Sequence, residues 1–396
     1  MTARQAGTHP VARCWRSLPG LAERDGHAAR HEEAVQMRIG LIAPPWVPVP
    51  PPAYGGTEVV IDNLARGLQE LGHEVRLFTV GESQCPVPTD FLYPKAIEPI
   101  GVTVPETAHV LAAYESLADM DVIHDHTFLG PLISGLRGLR RPPVVHTNHG
   151  PFTGETQPVL GEIAKHAAIV AISQSQADQA EMYGGAQIAG VIHHGIDLDL
   201  YKAGPGGGGY VIFIGRMSPD KGVHHAIRVA KKAGKRLVLS TKMREDNEIG
   251  YFESEIKPLL DPGDEMPAEI PQERRIELLR GADAMLNPIT WREPFGLVMA
   301  EALACGTPVL AFPNGAAPEI IEPGRTGFLC RDEGEMISAI DRVGEINRDH
   351  CRRAAEQRFS LQRMAREHDR LYRRLLDRES SLMRRIPAAG RRLINA

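Results

Sequence analysis

Cysteine is scarce in this chain of 396 residues, and none of it is paired by spacing. Cys14, Cys85, Cys305, Cys330 and Cys351 are scattered, odd in number and form no CxxC. That excludes a disulfide framework and a cysteine zinc site, and leaves buried or idle thiols in a reducing compartment. Long hydrophobic runs are also missing, and no stretch approaches the ~20 apolar residues that span a bilayer as a helix. A basic excess is absent, since the formal net charge is −5. General nucleic-acid binding, which depends on neutralising phosphates, is therefore not expected. Nor is there a GxGxxG after the first strand; only Gly55-Gly56 stands there. An NAD-dependent oxidoreductase is set aside on that ground.

What remains is an ordinary globular composition, 42% hydrophobic and 24% charged, in a chain longer than one core usually serves. Two domains are the starting expectation. Residues 1–36 differ from the rest. They mix Arg13, Arg16, Arg24 and Arg30 with Glu23, Asp25, Glu32 and Glu33 and contain no apolar signal core. They read as a disordered tail or a start assigned too early, with Met37 opening the first strand. A cytoplasmic location follows from the thiols and the missing leader.

From Met37 onward short apolar runs alternate with amphipathic segments, the pattern of parallel α/β units. Strands are expected over 38–43, 74–80, 121–124, 143–147, 168–172 and 190–193. A helix is expected over 57–71, where Val59, Val60, Leu64, Leu68 and Leu71 recur at helical spacing and Gly72 follows as a C-terminal cap. The run Ala203-Gly-Pro-Gly-Gly-Gly-Gly209 reads as a flexible joint, having no side chains to pack. Alternation then restarts: strands 210–214, 236–241, 284–287 and 308–312, and helices near 222–233, 272–281 and 297–305. The expected fold class is thus α/β, two Rossmann-like domains over 37–203 and 210–355. A helix over 356–378 should pack back toward the first domain, ahead of a tail, 379–396. Phe359, Met364, Leu371 and Leu375 lie on one side of that Arg-rich helix. It suits a packing helix or, alternatively, contact with an acidic membrane surface, which would place the protein at the inner membrane face.

Histidines are plentiful, with His124-Asp-His126, His193-His194 and His224-His225 among them. An i, i+2 pair on a strand shares one face and could begin a zinc site, but no cysteine or acidic cluster completes one, so no metal is expected. The proline-rich loop Pro44–Pro52 reads equally as a stiff surface loop or as a wall facing an acceptor.

Two segments carry chemistry. In Glu293-Pro-Phe-Gly-Leu-Val-Met-Ala-Glu301, Pro294 and Gly296 set a turn and the helix begins at Leu297. Backbone N–H groups at Gly296, Leu297 and Val298 then face outward at a positive dipole end, a place for phosphate. The two carboxylates beside it can accept hydrogen bonds from sugar hydroxyls. In Gly215-Arg216-Met-Ser-Pro-Asp-Lys221-Gly222, both cations stand at the carboxyl end of a strand, where open α/β sheets bind ligands. Arg216 can fork two phosphate oxygens and Lys221 supplies a compact charge.

Taken together, Gly215-Arg216, Lys221-Gly222 and the pair Glu293 and Glu301, with seven residues between them, resemble the retaining glycosyltransferases of family 4, which have the GT-B fold. Gly55-Gly56, Asp121-Val-Ile-His124, Thr147-Asn-His149-Gly150, Gly195-Ile-Asp197 and Gly315-Ala-Ala-Pro-Glu319 match in the same order. The resemblance implies two Rossmann-like domains facing each other across a cleft, the first on the acceptor side and the second holding the donor nucleotide. It implies that Arg216 and Lys221 hold a donor diphosphate, Glu293 the transferred sugar and Glu301 the ribose. His149 would face the sugar from the first domain, and Gly55 and Gly56 would let backbone approach the phosphates. Transfer would go from a nucleotide diphosphate sugar to a glycan, lipid or small-molecule hydroxyl, with retention and without a metal or other cofactor. A sugar-nucleotide 2-epimerase of the same architecture is the alternative. Around Asp264–Ile270 the family pattern is interrupted by Pro267 and Ala268, so the nucleobase is left open.

Overall fold

The computed structural model describes residues 35–385 apart from Tyr54, 137–141, Gly185 and 262–267. The expected N-terminal tail up to residue 34, the last eleven residues and Pro267 fall outside the described residues.

The first unit opens with β1 (Arg38–Ile42), α1 (Gly56–Glu70), β2 (Glu74–Thr79), β3 (Thr89–Phe91) and α2 (Thr103–Ser116). It continues through β4 (Val122–Asp125), α3 (Gly130–Ser134), β5 (Val144–Thr147), α4 (Gln157–Ile163), β6 (Ala168–Ala171), α5 (Gln174–Met182) and β7 (Ile188–Val191). All seven strands are parallel, in the order β3-β2-β1-β4-β5-β6-β7. Strands β4 to β6 are buried at every position, because crossover helices cover both faces. On α1, Val60, Leu64 and Leu68 are buried at i, i+4 spacing, and Gly72 follows at φ +87°, the left-handed position of a glycine cap.

The second unit comprises β8 (Tyr210–Arg216), α6 (Val223–Lys232), β9 (Arg236–Lys242), α7 (Asp246–Tyr251), α8 (Gln272–Gly281) and β10 (Ala284–Asn287). Then come α9 (Leu297–Ala304), β11 (Val309–Ala311), α10 (Ala317–Ile320), β12 (Gly327–Leu329), α11 (Glu333–Asp341) and α12 (Arg348–Arg358). Its five parallel strands run β12-β11-β10-β8-β9. In each sheet the chain order reverses once, between β1 and β4 and between β8 and β10. Such switch points leave a crevice at the carboxyl ends of the strands, and here the two crevices face each other.

The glycine run is not a free joint. Gly204 N–H donates to Cys305 O (3.0 Å), Gly206 N–H to Arg280 O (2.9 Å) and Gly208 N–H to Gly281 O (2.9 Å), which pins the strip to the second unit. Arg348 closes over it, donating to Gly204 O, Ala282 O and Arg280 O. A Cβ at Gly204 would overlap Arg280, and one at Gly206 would stand 2.6 Å from Arg348. These glycines answer close packing rather than flexibility. The two passages between units lie side by side elsewhere: Ile196 N–H donates to Phe359 O and Leu361 N–H to Ile196 O.

After the second passage α13 (Leu361–Arg385) returns to the first unit. It starts at 361 rather than 356, because α12 stays on α9 of the second unit until Phe359. It also continues through residues 379–385, where a tail was expected. Met364, Ala365, Leu371, Tyr372 and Leu375 pack with Leu64 and Leu68 of α1 in one core. Gly67 permits the close approach, since a Cβ there would meet Ala365 at 2.8 Å. The apolar side of this helix is spent on packing. Among the described residues no helix is long and apolar enough to cross a membrane.

Candidate active site

A cavity of about 320 Å³ lies in the cleft between the units. On the second unit its wall is built at the β8/β10 switch point. Residues Pro219–Lys221 form a single tight turn after β8, and Gly222 ends it at φ +75°. Any side chain at Gly222 would strike the carbonyl of Pro288, so glycine lets this loop lie against the one after β10. Thr290 N–H ties the two by donating to Asp220 O (3.0 Å). The result brings Lys221 Nζ to 2.5 Å from Glu293 Oε2, with both side chains largely buried, and 5.2 Å above the Trp291 ring. Two residues read separately in the sequence form one ion pair.

The loop holding Glu293 is clasped by the 315–319 segment. Ala316 N–H donates to Glu293 O (3.0 Å), and Gly315 has φ +58° with Glu293 O where a Cβ would need to stand. Gly296, at φ +93°, starts α9 without a side-chain cap. The first N–H groups of α9 are thereby left open to the cavity at the positive end of the helix. One turn on, Glu301 is 5% exposed, and its Oε2 has no hydrogen-bond partner among the described residues. Asn287 Nδ2, at the end of β10, is likewise buried and unmatched. Both residues line the cavity. Unpaired buried polar atoms are costly, so a donor and an acceptor left open in one cavity point to a polar ligand.

The first unit supplies the opposite wall. Gly55, Gly56 and Thr57 at the start of α1 line it, as do Pro50, Pro51 and Ala53. The proline-rich loop is tethered, with Gln84 and Cys85 N–H donating to Val49 O, and its tip faces the cleft. Arg66 is already engaged by Asp62 (2.9 Å), Asp197 (2.7 Å) and Asn63 (2.7 Å), so this part of the wall carries one cation against two carboxylates. His149 follows β5 in a turn held by Gln176, whose Nε2 donates to Asn148 O (2.9 Å) and Gly150 O (2.6 Å). Burial, with His146 and His368 nearby, pushes the His149 imidazole down to about 3, so it is neutral at physiological pH. Burial likewise holds His194 and His126 well below the ordinary histidine value.

Glu319 joins the walls. Its carboxylate on α10 accepts from the N–H of Gln174 and of Ser175 (2.7 Å each), the first two residues of α5 in the first unit, and pairs with His193 at 2.8 Å. Burial alone would raise this carboxyl; the hydrogen bonds from His193, Ser175 and Gln174 hold it below its ordinary value.

Of the residues singled out in the sequence, His149, Lys221, Glu293, Gly55, Gly56, Gly215, Gly296, Leu297, Val298 and Glu301 all line this one cavity. Arg216 does not. It sits at the rim, about a third exposed, 3.4 Å from Asp220. His124 on β4 and His126, just beyond its end, do lie together, their rings stacked at 4.2 Å. Among the described residues, however, no group of three His, Cys, Asp or Glu side chains is placed to hold a metal ion. Sequence reasoning misses Tyr201, Asn287 and His194, which line the cavity as well. Burial and the nearby Glu301 carboxylate push the Tyr201 hydroxyl up. His194 is noted in the sequence only as half of a candidate metal pair, and nothing in the local pattern around Tyr201 or Asn287 points to the cleft.

Residues 54–200 match the family model described as Glycosyltransferase Family 4, and residues 202–360 that described as Glycosyl transferases group 1. Together these take in most of the chain, one per unit. The chain belongs to the GT-B glycosyltransferases. The D-inositol 3-phosphate glycosyltransferases of Mycobacterium tuberculosis and Mycobacterium bovis are 28% identical over 267 residues, 56% of this chain and 54% of theirs. The match thus spans about half the length of these curated relatives. AviGT4, a glycosyltransferase of Avilamycin A biosynthesis, is 26% identical with a TM-score of 0.63, covering 86% of this chain and 98% of that one. The sucrose-phosphate synthase of Thermosynechococcus elongatus shares the fold with a TM-score of 0.73 at 22% identity, over 86% of this chain and all of that one. Anabaena HepE, solved with UDP and glucose, shares it at 0.67 and 20% identity, over 85% of this chain and 99% of that one.

Proposed function

We propose that this glycosyltransferase moves a sugar from a nucleotide diphosphate sugar to an acceptor hydroxyl with retention at the anomeric carbon, and needs no metal. The carrying observation is the wall where Lys221, the open N-terminus of α9 and the unmatched Glu301 Oε2 meet in one cavity. A diphosphate fits the first two, because a cation and oriented N–H groups stabilise the charge that develops as it departs. Glu301 accepts from ribose hydroxyls. Glu293, released from Lys221 when phosphate takes its place, accepts from the sugar, and His149 meets the sugar from across the cleft. The anomeric C–O bond to phosphate breaks as the acceptor oxygen bonds to the same face, and the acceptor's proton passes to the departing phosphate oxygen. Glu293 and Glu301 are then not the acid and nucleophile pair of a glycosidase. Nothing favours the 2-epimerase reading over this one.

The HepE structures hold UDP and UDP-glucose, which makes these the first probes, and the inositol phosphate transferases suggest phosphorylated polyols among trial acceptors. The test is a thermal-shift screen of nucleotide sugars, since a ligand of the native state raises stability by mass action. The best donor is then incubated with and without acceptors, and the anomeric configuration of the product is read by NMR. An inverted product would end the retaining reading, and stability unmoved by every nucleotide sugar would end the donor reading.

A further inference from the structure

Behind His149 stands a row of buried imidazoles that the transfer reading leaves without a task. Ring follows ring from His368 on α13 to His124 (5.1 Å between centroids), His126 (4.2 Å), His149 (5.2 Å) and His194 (5.2 Å). His124 is fixed on both nitrogens, by the Tyr372 and Thr147 hydroxyls at 2.7 Å each. His126 stacks on it and makes one hydrogen bond, 2.9 Å between its Nδ1 and His149 Nε2. His126 Nε2 is buried and has no partner among the described residues. His149 lines the cavity, and its Nδ1 makes no hydrogen bond among the described residues.

We propose that His126 is a positioning residue that donates its Nδ1–H to His149 Nε2 and so fixes His149 as the tautomer carrying its proton on Nδ1, toward the bound sugar. This rests on the reading that His149 contacts the transferred sugar. Both rings are neutral, so a single proton lies between the facing nitrogens, and only two arrangements exist. If His149 Nε2–H were the donor, His126 would have to carry its own proton on Nε2. That would be a buried side-chain N–H without an acceptor, a costly arrangement that the large majority of buried side chains avoid. If His126 Nδ1–H is the donor, the unmatched Nε2 is a bare lone pair among stacked rings, the more tolerable defect. The second arrangement wins.

The chemical consequence is specific. His149 Nε2 has its lone pair engaged, and Nδ1 carries a proton. The ring can donate a hydrogen bond to a sugar hydroxyl and cannot take the acceptor's proton. That leaves the departing phosphate oxygen as the proton's destination.

The experiment uses the full chain labelled with 15N in histidine, with the His149 signal assigned by its loss in His149→Gln. Expected is a His149 ring with Nδ1 protonated and Nε2 bare, changing in His126→Phe to a mixture of tautomers or to the Nε2–H form. His126→Asn, whose side-chain amide places an N–H near the former Nδ1, should restore the original pattern. With the nucleotide sugar found by the thermal-shift screen, His126→Phe should lower kcat on the order of 10- to 100-fold, the loss expected of one misdirected hydrogen bond, with KM nearly unchanged and most of kcat recovered by Asn. A His149 ring already in the Nε2–H form in the unaltered protein, or one indifferent to His126→Phe, overturns the proposal. Full turnover in His149→Gln would instead overturn the sugar-contact reading, and the tautomer measurement would stand apart from it.

Discussion

Glu319→Ala should open the cleft. The carboxylate sits on the first two N–H groups of α5, an anion at a helix N-terminus, and takes a third bond from His193. Hydrogen bonds to a charged group contribute about 1.5–3 kcal/mol each when fully buried. Here the Glu319 side chain is 20% accessible, so water replaces part of what is removed. A net loss of about 2 kcal/mol in favour of the open form is a shift of ~30-fold in the equilibrium. The effect on the donor depends on how far the free protein is closed. If nine-tenths closed, the closed fraction falls to roughly a quarter and the apparent Kd rises about fourfold; if half closed, the rise is about fifteenfold. The same helix start carries Gln176, which holds the His149 turn, so opening should also blur the sugar contact. Small-angle scattering of the free variant should show a larger radius of gyration, and calorimetry should show weaker nucleotide-sugar binding. Glu319→Gln, keeping one acceptor, should fall between. The sign with pH follows from the lowered carboxyl value. The latch is complete above the ordinary Glu range and weakens only as pH falls below it. An unchanged radius and unchanged affinity in Glu319→Ala would refute the closure argument.

Lys221→Ala should lower kcat on the order of 10²–10³, the scale of removing one electrostatic donor, whereas Arg216→Ala, starting from the rim, should cost less; equal losses in steady-state assays would return Arg216 to the diphosphate. If Lys221 and the start of α9 neutralise the diphosphate as proposed, full turnover should persist in excess chelator, and a strict magnesium or manganese requirement would contradict this. Gly206→Ala should lower stability by about 1–3 kcal/mol in a urea titration, through overpacking against Arg348, while Gly207→Ala, with open space and only its φ of +75° to resist, should cost about 1 kcal/mol. Stability should also fall as pH drops from about 6.5 toward 4. His109, His146 and His368 are each pushed by burial down to about 4, and His149 to about 3. These rings stay neutral in the fold and bind protons once unfolded, at roughly 1.4 kcal/mol per pH unit for each proton. Glu58 and Asp125, which burial raises to about 7, act in the opposite sense and are outnumbered. A Tm that is flat between pH 7 and 5 would show that the histidines are not held neutral.

Much of this is legible in the sequence because parallel α/β units carry their own pattern. The strand at 284–287 and the helices from 272 and 297 can be read from apolar runs and their periods. The site is legible where motifs fix backbone, as at Gly296 and Glu301. Three things are not. Glycine repeats signal flexibility only when nothing presses on them, and Arg348, far along the chain, presses on Gly206. The Lys221–Glu293 pair joins loops after two different strands, so neither residue announces the other. The imidazole row draws on β4, the β5 turn, the 193–194 strip and α13, and only the closed fold brings these together.

On the proposed function, the charge on the two walls bears on how a donor would lie. At neutral pH the histidines of the first wall are uncharged, since His149, His126 and His194 all sit far below their ordinary value. Farther along that wall Arg66 is outweighed by Asp62 and Asp197. A diphosphate therefore meets either neutral rings or a net negative charge on the first unit. The second unit offers Lys221 and the open end of α9, beside the carboxylates of Glu293 and Glu301, and at the rim Arg216 with Asp220 against it. On the proposed roles, the Lys221 ammonium and the open end of α9 draw the diphosphate to the second unit, since Coulomb attraction in a cleft of low dielectric exceeds its value in water. In that arrangement of proposed roles, a diphosphate against Lys221 would leave the ribose at Glu301 and the sugar toward Glu293 and the neutral His149. A histidine held neutral suits that place. A cation there would compete for the phosphates and turn the donor around, whereas a fixed Nδ1–H asks only for a hydroxyl.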